Sequence, residues 1–182
     1  MDKSFRYKRI LVIGSTGAGK TTFARQLAAR LNIPYIELDS LYWEPNWTAR
    51  PLYEFRADVE EFASGEAWIA DGNYTSARDA LWPRAQVVIW LDYGFWLTFG
   101  RLMRRTYRRI FTSEKLWNGN RENVWNSLKL WSKDSLIHWF FKTFWRRRRE
   151  IPEVLRWPEH SHLTLVRLRS PREAQEWLSN IL

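Results

Sequence analysis

The chain has 182 residues, of which 45% are hydrophobic and 27% are charged, close to the averages of globular domains. This composition excludes a disordered, collagen-like or low-complexity protein, and the length predicts a single domain with its own core. The chain contains no cysteine, which excludes disulfides and thiolate metal sites, so we expect a cytoplasmic protein. No uncharged apolar run approaches the roughly 20 residues of a membrane span.

The formal net charge of +9 is unevenly distributed along the chain. Residues 94–149 contain 14 Lys and Arg against 3 Asp and Glu, a net charge of +11, whereas the remaining residues contain 15 against 17, a net charge of −2. Such a concentration of positive charge favours an anionic partner, and a polyphosphate, a nucleic acid and an acidic membrane surface all fit it.

Short apolar runs alternate with helical patterns along the chain. Strands are predicted at Lys8 to Ile13, Tyr35 to Leu38, Ala67 to Ala70, Val87 to Leu91 and Leu163 to Leu168. Helices are predicted at 20–31, 52–63, 122–149 and 171–182, and another has an apolar face made of Trp96, Phe99, Met103, Tyr107 and Ile110. This alternation predicts an α/β fold with a five-stranded, mostly parallel sheet that carries helices on both faces.

A glycine-rich pattern, G-x-x-x-x-G-K-[ST], lies between the first predicted strand and the first predicted helix. It consists of Gly14, Ser15, Thr16, Gly17, Ala18, Gly19, Lys20 and Thr21, and Thr22 follows it. Glycines let successive N–H groups point at phosphate oxygens, and the helix adds its positive dipole end. We expect Lys20 to bridge the β- and γ-phosphates of ATP and Thr21 to offer its hydroxyl to Mg²⁺. The alternative is a turn that only joins strand to helix.

Three carboxylates, Asp39, Asp71 and Asp92, follow predicted strands. Ligands of open α/β sheets bind at the carboxyl ends of the strands, and phosphoryl transfer needs a metal ion and a group that orients the attacking oxygen. These acids are therefore candidates for both tasks. The alternative for Asp39 and Asp92 is that they cap the turn or helix that follows.

Further segments accompany the glycine-rich loop: Leu38-Asp39 followed by Tyr42-Trp43, Asp71-Gly72-Asn73-Tyr74, Val88 to Asp92, Arg101 to Arg105, and Leu116-Trp117-Asn118-Gly119-Asn120-Arg121-Glu122. Together with that loop they resemble the adenylate-kinase-related P-loop NTPases of the DNA topology modulation protein family, over nearly the whole chain. The resemblance implies one nucleoside- or nucleotide-kinase-like domain over residues 1–182, ATP or GTP with Mg²⁺, an acceptor-binding region at about 39–65 and a lid at about 111–123.

The resemblance also implies roles for individual residues. Asp39 would lie near the acceptor and the metal, as a base or a metal ligand, and Asp71 would hold magnesium-bound water. Arg101 would stack on the nucleotide base and Arg105 would reach its phosphates, while Arg121 would close over the transferring group as a lid arginine.

Aromatic and polar side chains mark the expected acceptor region. The rings of Trp43, Trp47 and Tyr74 suit a ring-shaped or apolar acceptor, and Arg50 and Arg78 suit an acidic or phosphorylated one. The chain has Asn73-Tyr74 after Asp71-Gly72, without the Phe-Pro-Arg that adenylate kinases place there, which argues against AMP. Asn73 is therefore included among the residues expected to bind the acceptor.

The leading hypothesis is an ATP-dependent, Mg²⁺-requiring phosphotransferase that passes the γ-phosphoryl group to a small acceptor. Its catalytic residues would be Lys20, Asp39, Arg105 and Arg121. One alternative is a nucleic-acid-associated P-loop NTPase whose basic segment contacts backbone phosphates, and another is a regulatory protein that binds ATP without using it. The rings at 139–145 beside Arg146 to Arg149 suit either a binding surface or helix packing.

Overall fold

A parallel sheet forms the centre of the fold. The computed structural model describes residues 5–112, 115–120 and 136–181. In these residues the strands are β1 (Arg9–Gly14), β2 (Tyr35–Glu37), β3 (Trp43–Glu44), β4 (Thr48–Ala49), β5 (Trp68–Asp71), β6 (Val87–Leu91) and β7 (Thr164–Leu168). Five of them form one sheet in the order β2-β5-β1-β6-β7, with parallel pairing throughout. The predicted α/β fold is thus confirmed.

Helices connect the strands and flank the sheet. The described helices are α1 (Lys20–Leu31), α2 (Leu38–Tyr42), α3 (Leu52–Ala63), α4 (Arg78–Leu81), α5 (Phe95–Thr112), α6 (Leu136–Leu155) and α7 (Pro171–Ser179). Ser170 caps α7 by accepting a hydrogen bond from the Glu173 N–H over 3.1 Å, as its position before a proline predicts. None of the helices in the described ranges is long and apolar enough to cross a membrane.

Alternating residues of the strands bury opposite faces of the sheet. Ile10 and Val12 of β1 pack with α1 and α7, whereas Leu11 and Ile13 of the same strand pack with α3, α4 and α6. Side chains on successive strand positions point to opposite faces, so a strand that is apolar throughout is covered on both sides. This explains why the strands appear in the sequence as continuous apolar runs.

The apolar face predicted for the helix after β6 is wrong. The side chains that α5 buries are Thr98, Leu102 and Thr106, whereas Trp96 is 80% exposed and Tyr107 is 47% exposed. The threonine hydroxyls can be buried because they find partners nearby: that of Thr98 donates to the Phe95 carbonyl and to the Gly94 carbonyl just before the helix. The helix is therefore rotated relative to the prediction, which followed the large apolar residues.

Two other boundaries differ from the predicted ones. The helix predicted to end at Arg149 continues through Pro152 to Leu155 in α6, and its predicted beginning, residues 122–135, lies outside the described residues. The stretch after β2, where no strand or helix was predicted before residue 52, contains the short helix α2 and an antiparallel hairpin of β3 and β4. Because β2 ends at Glu37, Asp39 lies in the first turn of α2 and not at the end of a strand.

Candidate functional site

The glycine-rich loop joins β1 to α1 at the carboxyl edge of the sheet. Gly17 and Gly19 have φ angles of 87° and 90°, in a region that favours glycine. A Cβ on Gly17 would collide with the carbonyl oxygen of Thr98 and press on Leu102. The loop thus packs against α5 so closely that only glycine fits, and it leads into α1 at Lys20, as predicted for a phosphate-binding loop.

Lys20 is folded back over this loop. Its Nζ donates a hydrogen bond to the Ser15 carbonyl over 3.3 Å. The pKa of Lys20 is lowered to about 8, mainly by burial and to a smaller extent by Arg147. The Asp71 carboxylate opposes this shift. Asp39 and Arg105 also act on this ammonium group, so charged side chains of several elements converge near it.

The first turn of α1 is tied to the end of β2 by Glu37, a carboxylate that the sequence reasoning missed. The Thr21 hydroxyl donates to Glu37 Oε1 over 2.9 Å, and Arg25 donates to Oε2 over 3.2 Å. Glu37 is buried. Glu37 was missed because the predicted strand extended to Leu38. A strand that ends at Glu37 would have placed this acid at the carboxyl edge of the sheet.

Thr22, which follows the glycine-rich loop, is exposed on α1.

Asp71 ends β5 directly beside this group and is only 2% exposed. Burial raises the pKa of Asp71 to about 7, Lys20 opposes this, and Glu37 adds to it. Its Oδ2 atom is buried without a well-formed hydrogen bond among the described residues, although the Thr21 hydroxyl is close enough to lower the pKa of the carboxyl group. A buried, unsatisfied carboxylate oxygen next to a threonine hydroxyl matches the oxygen ligands that Mg²⁺ prefers.

Asp39 is held by Tyr74. The phenol donates to Asp39 Oδ1 over 2.6 Å, and both burial and the Asp39 carboxylate raise the pKa of Tyr74, so the phenol remains protonated and a donor. The structure thus brings together two residues that the sequence assigned to the acceptor side. It also brings Asp39 close enough to Lys20 for the carboxylate to raise the pKa of that lysine.

Arg147 of α6 is a second residue that the sequence reasoning missed as part of the site. Burial lowers the pKa of its guanidinium to about 10, as does neighbouring Arg146, whereas Asp39 and Tyr74 are among the groups that raise it. The charge of Arg147 thus acts on Lys20, Asp39 and Tyr74, so its guanidinium belongs to the same group of interacting side chains. Four consecutive arginines conceal which one faces inwards, so the sequence carried no signal that singles out Arg147.

The predicted nucleotide-side arginines lie on α5. Arg101 lies over the Tyr93 ring at 5.7 Å, and a Cβ on Gly19 would lie 3.8 Å from its Nη1. Arg105 is half-buried and close enough to Lys20 to lower the pKa of that lysine. Both positions fit their predicted roles, which stay predictions. Arg121, the predicted lid arginine, lies outside the described residues.

Two polar residues at this edge of the sheet support the architecture. Asn73 exchanges two hydrogen bonds with the main chain of Gly14, at 3.2 Å and 2.7 Å, so it fastens the end of β5 to the glycine-rich loop. Asp92 is buried and binds Arg148 and Arg167, each at 2.5 Å. Asp92 therefore ties α6 and β7 to the end of β6.

The two arginines expected to meet the acceptor have protein partners. Arg50 pairs with Glu54 at 3.3 Å and with Asp58 at 2.7 Å, and Arg78 pairs with Glu150 of α6 at 3.1 Å. Their charges are thus largely neutralised within the protein, and their contact with an acceptor stays a prediction. The two tryptophans predicted here, Trp43 and Trp47, lie on the hairpin with their ring centroids 5.6 Å apart.

Comparisons with known proteins agree with this geometry at the level of the fold. No protein-family model matches the chain. Among curated proteins, the ATPase subunit HslU of the ATP-dependent protease from Nitrobacter hamburgensis is 38% identical over 60 residues, 32% of this chain. The corresponding subunit from Campylobacter jejuni is 40% identical over 57 residues. These matches span only 14% and 13% of the relatives' lengths.

Solved structures of small-molecule kinases resemble the whole fold. A gluconokinase from Sinorhizobium meliloti matches with a TM-score of 0.51 and 17% identity, over 96% of this chain and 93% of that one. A shikimate kinase from Aquifex aeolicus matches with a TM-score of 0.53 and 15% identity, over 95% and 92%. The chain thus has a kinase-like P-loop fold. The narrower resemblance to the DNA topology modulation proteins stays a prediction.

Proposed function

We propose that the protein is a phosphotransferase that passes the γ-phosphoryl group of ATP to a small acceptor. The observation that carries this proposal is the Asp39 carboxylate, which accepts a hydrogen bond from Tyr74 over 2.6 Å and acts electrostatically on both Lys20 and Arg147. A nucleotide-binding loop alone would fit any P-loop NTPase, whereas a carboxylate held by a tyrosine and faced by a half-buried arginine provides for a second substrate. The kinase fold of the gluconokinase and the shikimate kinase supports the same reading.

The phosphates of ATP would lie on the glycine-rich loop, where the main-chain N–H groups and the start of α1 attract anions. Lys20 becomes fully charged against a triphosphate, because phosphate oxygens offset the burial that lowers its pKa in the free protein. Arg101 lies at the rim of this loop and would contact the base. Arg105, close to Lys20, would contact the phosphates.

Thr21 and Asp71 would hold Mg²⁺, with Glu37 behind the threonine hydroxyl. The unsatisfied Oδ2 atom of Asp71 fits this role, and Mg²⁺ in kinases is commonly bound by one or two side chains together with substrate phosphates. When bound, the ion neutralises charge on the phosphates. Asp39, also predicted as a metal ligand, would in this proposal serve the acceptor, held in position by its hydrogen bond from Tyr74.

Asp39 would accept the proton of the acceptor hydroxyl. The acceptor oxygen then forms a bond to the γ-phosphorus while the bond from that phosphorus to the β–γ bridging oxygen breaks, and ADP leaves with the electron pair. Tyr74 orients Asp39 through their hydrogen bond. Arg147 and Lys20 would stabilise the charge that builds up on the transferring group and on the leaving oxygen.

The experiment is a panel of nucleosides, nucleoside monophosphates, sugars and sugar acids, scored for acceptor-dependent ADP release with Mg²⁺. We expect one chemical class to stimulate release. Replacing Asp39 by Asn should then lower kcat by roughly 10²- to 10⁴-fold because the base is lost.

Asp79→Asn is the matched control. Its carboxylate lies on α4 and pairs with Arg56 at the surface, so kcat should stay within about twofold of wild type. No acceptor-dependent release from any class, or an Asp39→Asn protein as active as wild type, would contradict the proposed function.

A further inference from the structure

Residues 115–120 clasp the hairpin formed by β3 and β4. The Asn120 side chain is 4% exposed and bonds two main-chain groups of the hairpin. Its Oδ1 accepts from the Trp47 N–H over 2.9 Å, and its Nδ2 donates to the Glu44 carbonyl over 2.8 Å. Asn118 Nδ2 donates to the Trp43 carbonyl over 2.6 Å. Because all three bonds are to main-chain groups, the clasp depends on the backbone conformation of the hairpin and not on the identity of its side chains.

The hairpin needs such support. Each of its strands has two residues, and a two-stranded hairpin is at best marginally stable by itself. Its connection places Asn46 and Trp47 in the left-handed region, at φ angles of 62° and 56°, which is rare for a residue as large as tryptophan. The Asn120 carboxamide bonds the N–H of Trp47, at the position where the main chain is most strained.

The clasping segment is itself a closed turn. The Leu116 N–H donates to the Asn120 carbonyl over 2.7 Å, and the Gly119 N–H donates back to the Leu116 carbonyl over 3.0 Å. Asn118 and Gly119 have φ angles of 53° and 79°, which asparagine and glycine tolerate best. The two asparagine side chains are thus presented by a compact unit, and the Trp117 ring meets the Trp47 ring at 6.0 Å.

The hairpin is connected directly to the acceptor side of the cleft. It follows α2, which carries Asp39, and the Arg50 N–H closes its base by donating to the Tyr42 carbonyl over 2.9 Å. The Tyr42 ring contacts the Tyr74 ring at 4.8 Å, and Tyr74 bonds Asp39. A shift of the hairpin would therefore move Tyr42 and, through its contact with Tyr74, the Asp39 carboxylate.

We propose that Asn118 and Asn120 are positioning residues that fix the acceptor side of the cleft by clasping the β3–β4 hairpin, and that they leave the nucleotide side unaffected. The Asn120 side chain is the central element, since it satisfies both a donor and an acceptor of the hairpin main chain. Only the kinetic consequence rests on the proposed function; the clasp itself does not.

Amide hydrogen exchange tests the clasp without any substrate. In Asn120→Ala the Trp47 amide loses its acceptor, so its protection should fall at least about tenfold, with a smaller fall in Asn118→Ala. Amides of β1 and β6 should keep wild-type protection. Asn180→Ala, which removes the same group from an exposed position after α7, is the control. Unchanged protection of Trp47 in Asn120→Ala, or an equal loss throughout the sheet, would overturn the proposal.

Asn120→Asp provides a readout that simple destabilisation does not produce. The ionised carboxylate of this variant can still accept from the Trp47 N–H but has no proton to donate to the Glu44 carbonyl, so it loses one of the two bonds and keeps the other. At about pH 7 the protection of the Trp47 amide, corrected for intrinsic exchange, should therefore stay above that in Asn120→Ala. Protection of Trp47 as low in Asn120→Asp as in Asn120→Ala would contradict the bonding described.

The kinetic test uses the acceptor identified by ADP release. In Asn120→Ala the KM for that acceptor should rise about tenfold while the KM for ATP stays within about twofold. An equal rise of both constants would overturn the positioning role. If no acceptor is found, the proposed function fails, yet hydrogen exchange still decides whether the clasp exists.

Discussion

The two sides of the cleft are built in different ways. The nucleotide side comes from one continuous stretch, 14–22, whose binding groups are main-chain amides at the start of a helix. The proposed acceptor side is assembled from separate segments: Asp39 on α2, Tyr74 after β5 and Arg147 on α6, next to the hairpin and residues 115–120. Its geometry depends on long-range hydrogen bonds between side chains and main chain.

This difference separates general from specific functions. A triphosphate offers the same oxygens to every P-loop protein, so a local main-chain motif suffices to bind it. An acceptor must be distinguished from other metabolites, and a surface contributed by several elements can change without disturbing the loop. A substitution should therefore change either nucleotide binding or acceptor binding. A substitution that changes both identifies a residue that lies between the two sides.

Lys20→Met should have the largest effect. Its ammonium group is the cation expected to contact both terminal phosphates, and ATP turnover should fall about a thousandfold because this charge stabilises the transition state. The quantities to measure are ATP turnover and the affinity for ATP. Lys142→Ala, which removes an exposed lysine of α6, should change neither of them. Comparable losses in the two variants would mean that Lys20 has no specific role on the nucleotide side.

Arg147→Ala should affect acceptor use and the transfer step more than nucleotide binding. The variant loses a half-buried cation beside Asp39 and Tyr74, and kcat/KM for the acceptor should fall roughly fiftyfold while the affinity for a non-hydrolysable ATP analogue holds within about threefold. Arg156→Ala, at an exposed position just after α6, controls for the loss of a positive charge. A large loss of nucleotide affinity in Arg147→Ala would assign this arginine to the other side.

Gly17→Ala should destabilise the loop through its main chain. A Cβ there would meet the Thr98 carbonyl, at a φ of 87°, so the free energy of unfolding should fall by about 2 kcal/mol. Urea denaturation measures it. Gly100→Ala is the matched change: a Cβ on this α5 glycine meets nothing within 4 Å, so it should stabilise by about 0.5–1 kcal/mol. Equal effects of the two substitutions would refute the close packing of loop and helix.

Asp71→Asn should change the pH dependence of stability. The pKa of this carboxyl group is raised from 3.8 to about 7 in the folded protein, so folding favours its protonated form. The stabilisation is complete below the unfolded pKa and is lost as the pH rises towards 7. Between about pH 5 and 7.5, in EDTA and without nucleotide, wild type should lose about 1–2 kcal/mol more than Asp71→Asn. Parallel pH profiles would contradict the raised pKa.

The sheet and the glycine-rich loop could be predicted because both depend on local patterns. Apolar runs mark buried parallel strands, and the spacing of Gly14, Gly19 and Lys20 specifies a loop whose conformation is encoded by adjacent residues. The same reasoning failed on α5, where the helix buries Thr98 and Thr106 and exposes Trp96. Ring size is a poor guide to orientation when a helix packs through small residues against a loop.

The acceptor side could be predicted only as a collection of candidates. Asp39 and Tyr74 were recognised singly, but their hydrogen bond joins residues 35 positions apart. Nothing in the sequence indicated that Arg50 and Arg78 form ion pairs with Asp58 and Glu150 in the folded protein. Pairing of charges across the tertiary structure leaves no periodic trace in a sequence, so neither their neutralisation nor the inward position of Arg147 could be read from it.

The ion network at Asp92 has a geometric consequence for α6. Arg148 is bound to Asp92, and its neighbour Arg147 projects about 100° away around the helix axis. One anchored turn therefore sets the rotational phase of the whole helix, and that phase decides which of four identical side chains enters the cleft. Shifting the run of arginines by one position along α6 would offer a different guanidinium to Asp92, so the position of the run in the helix, and not only its charge, decides which arginine acts on Asp39.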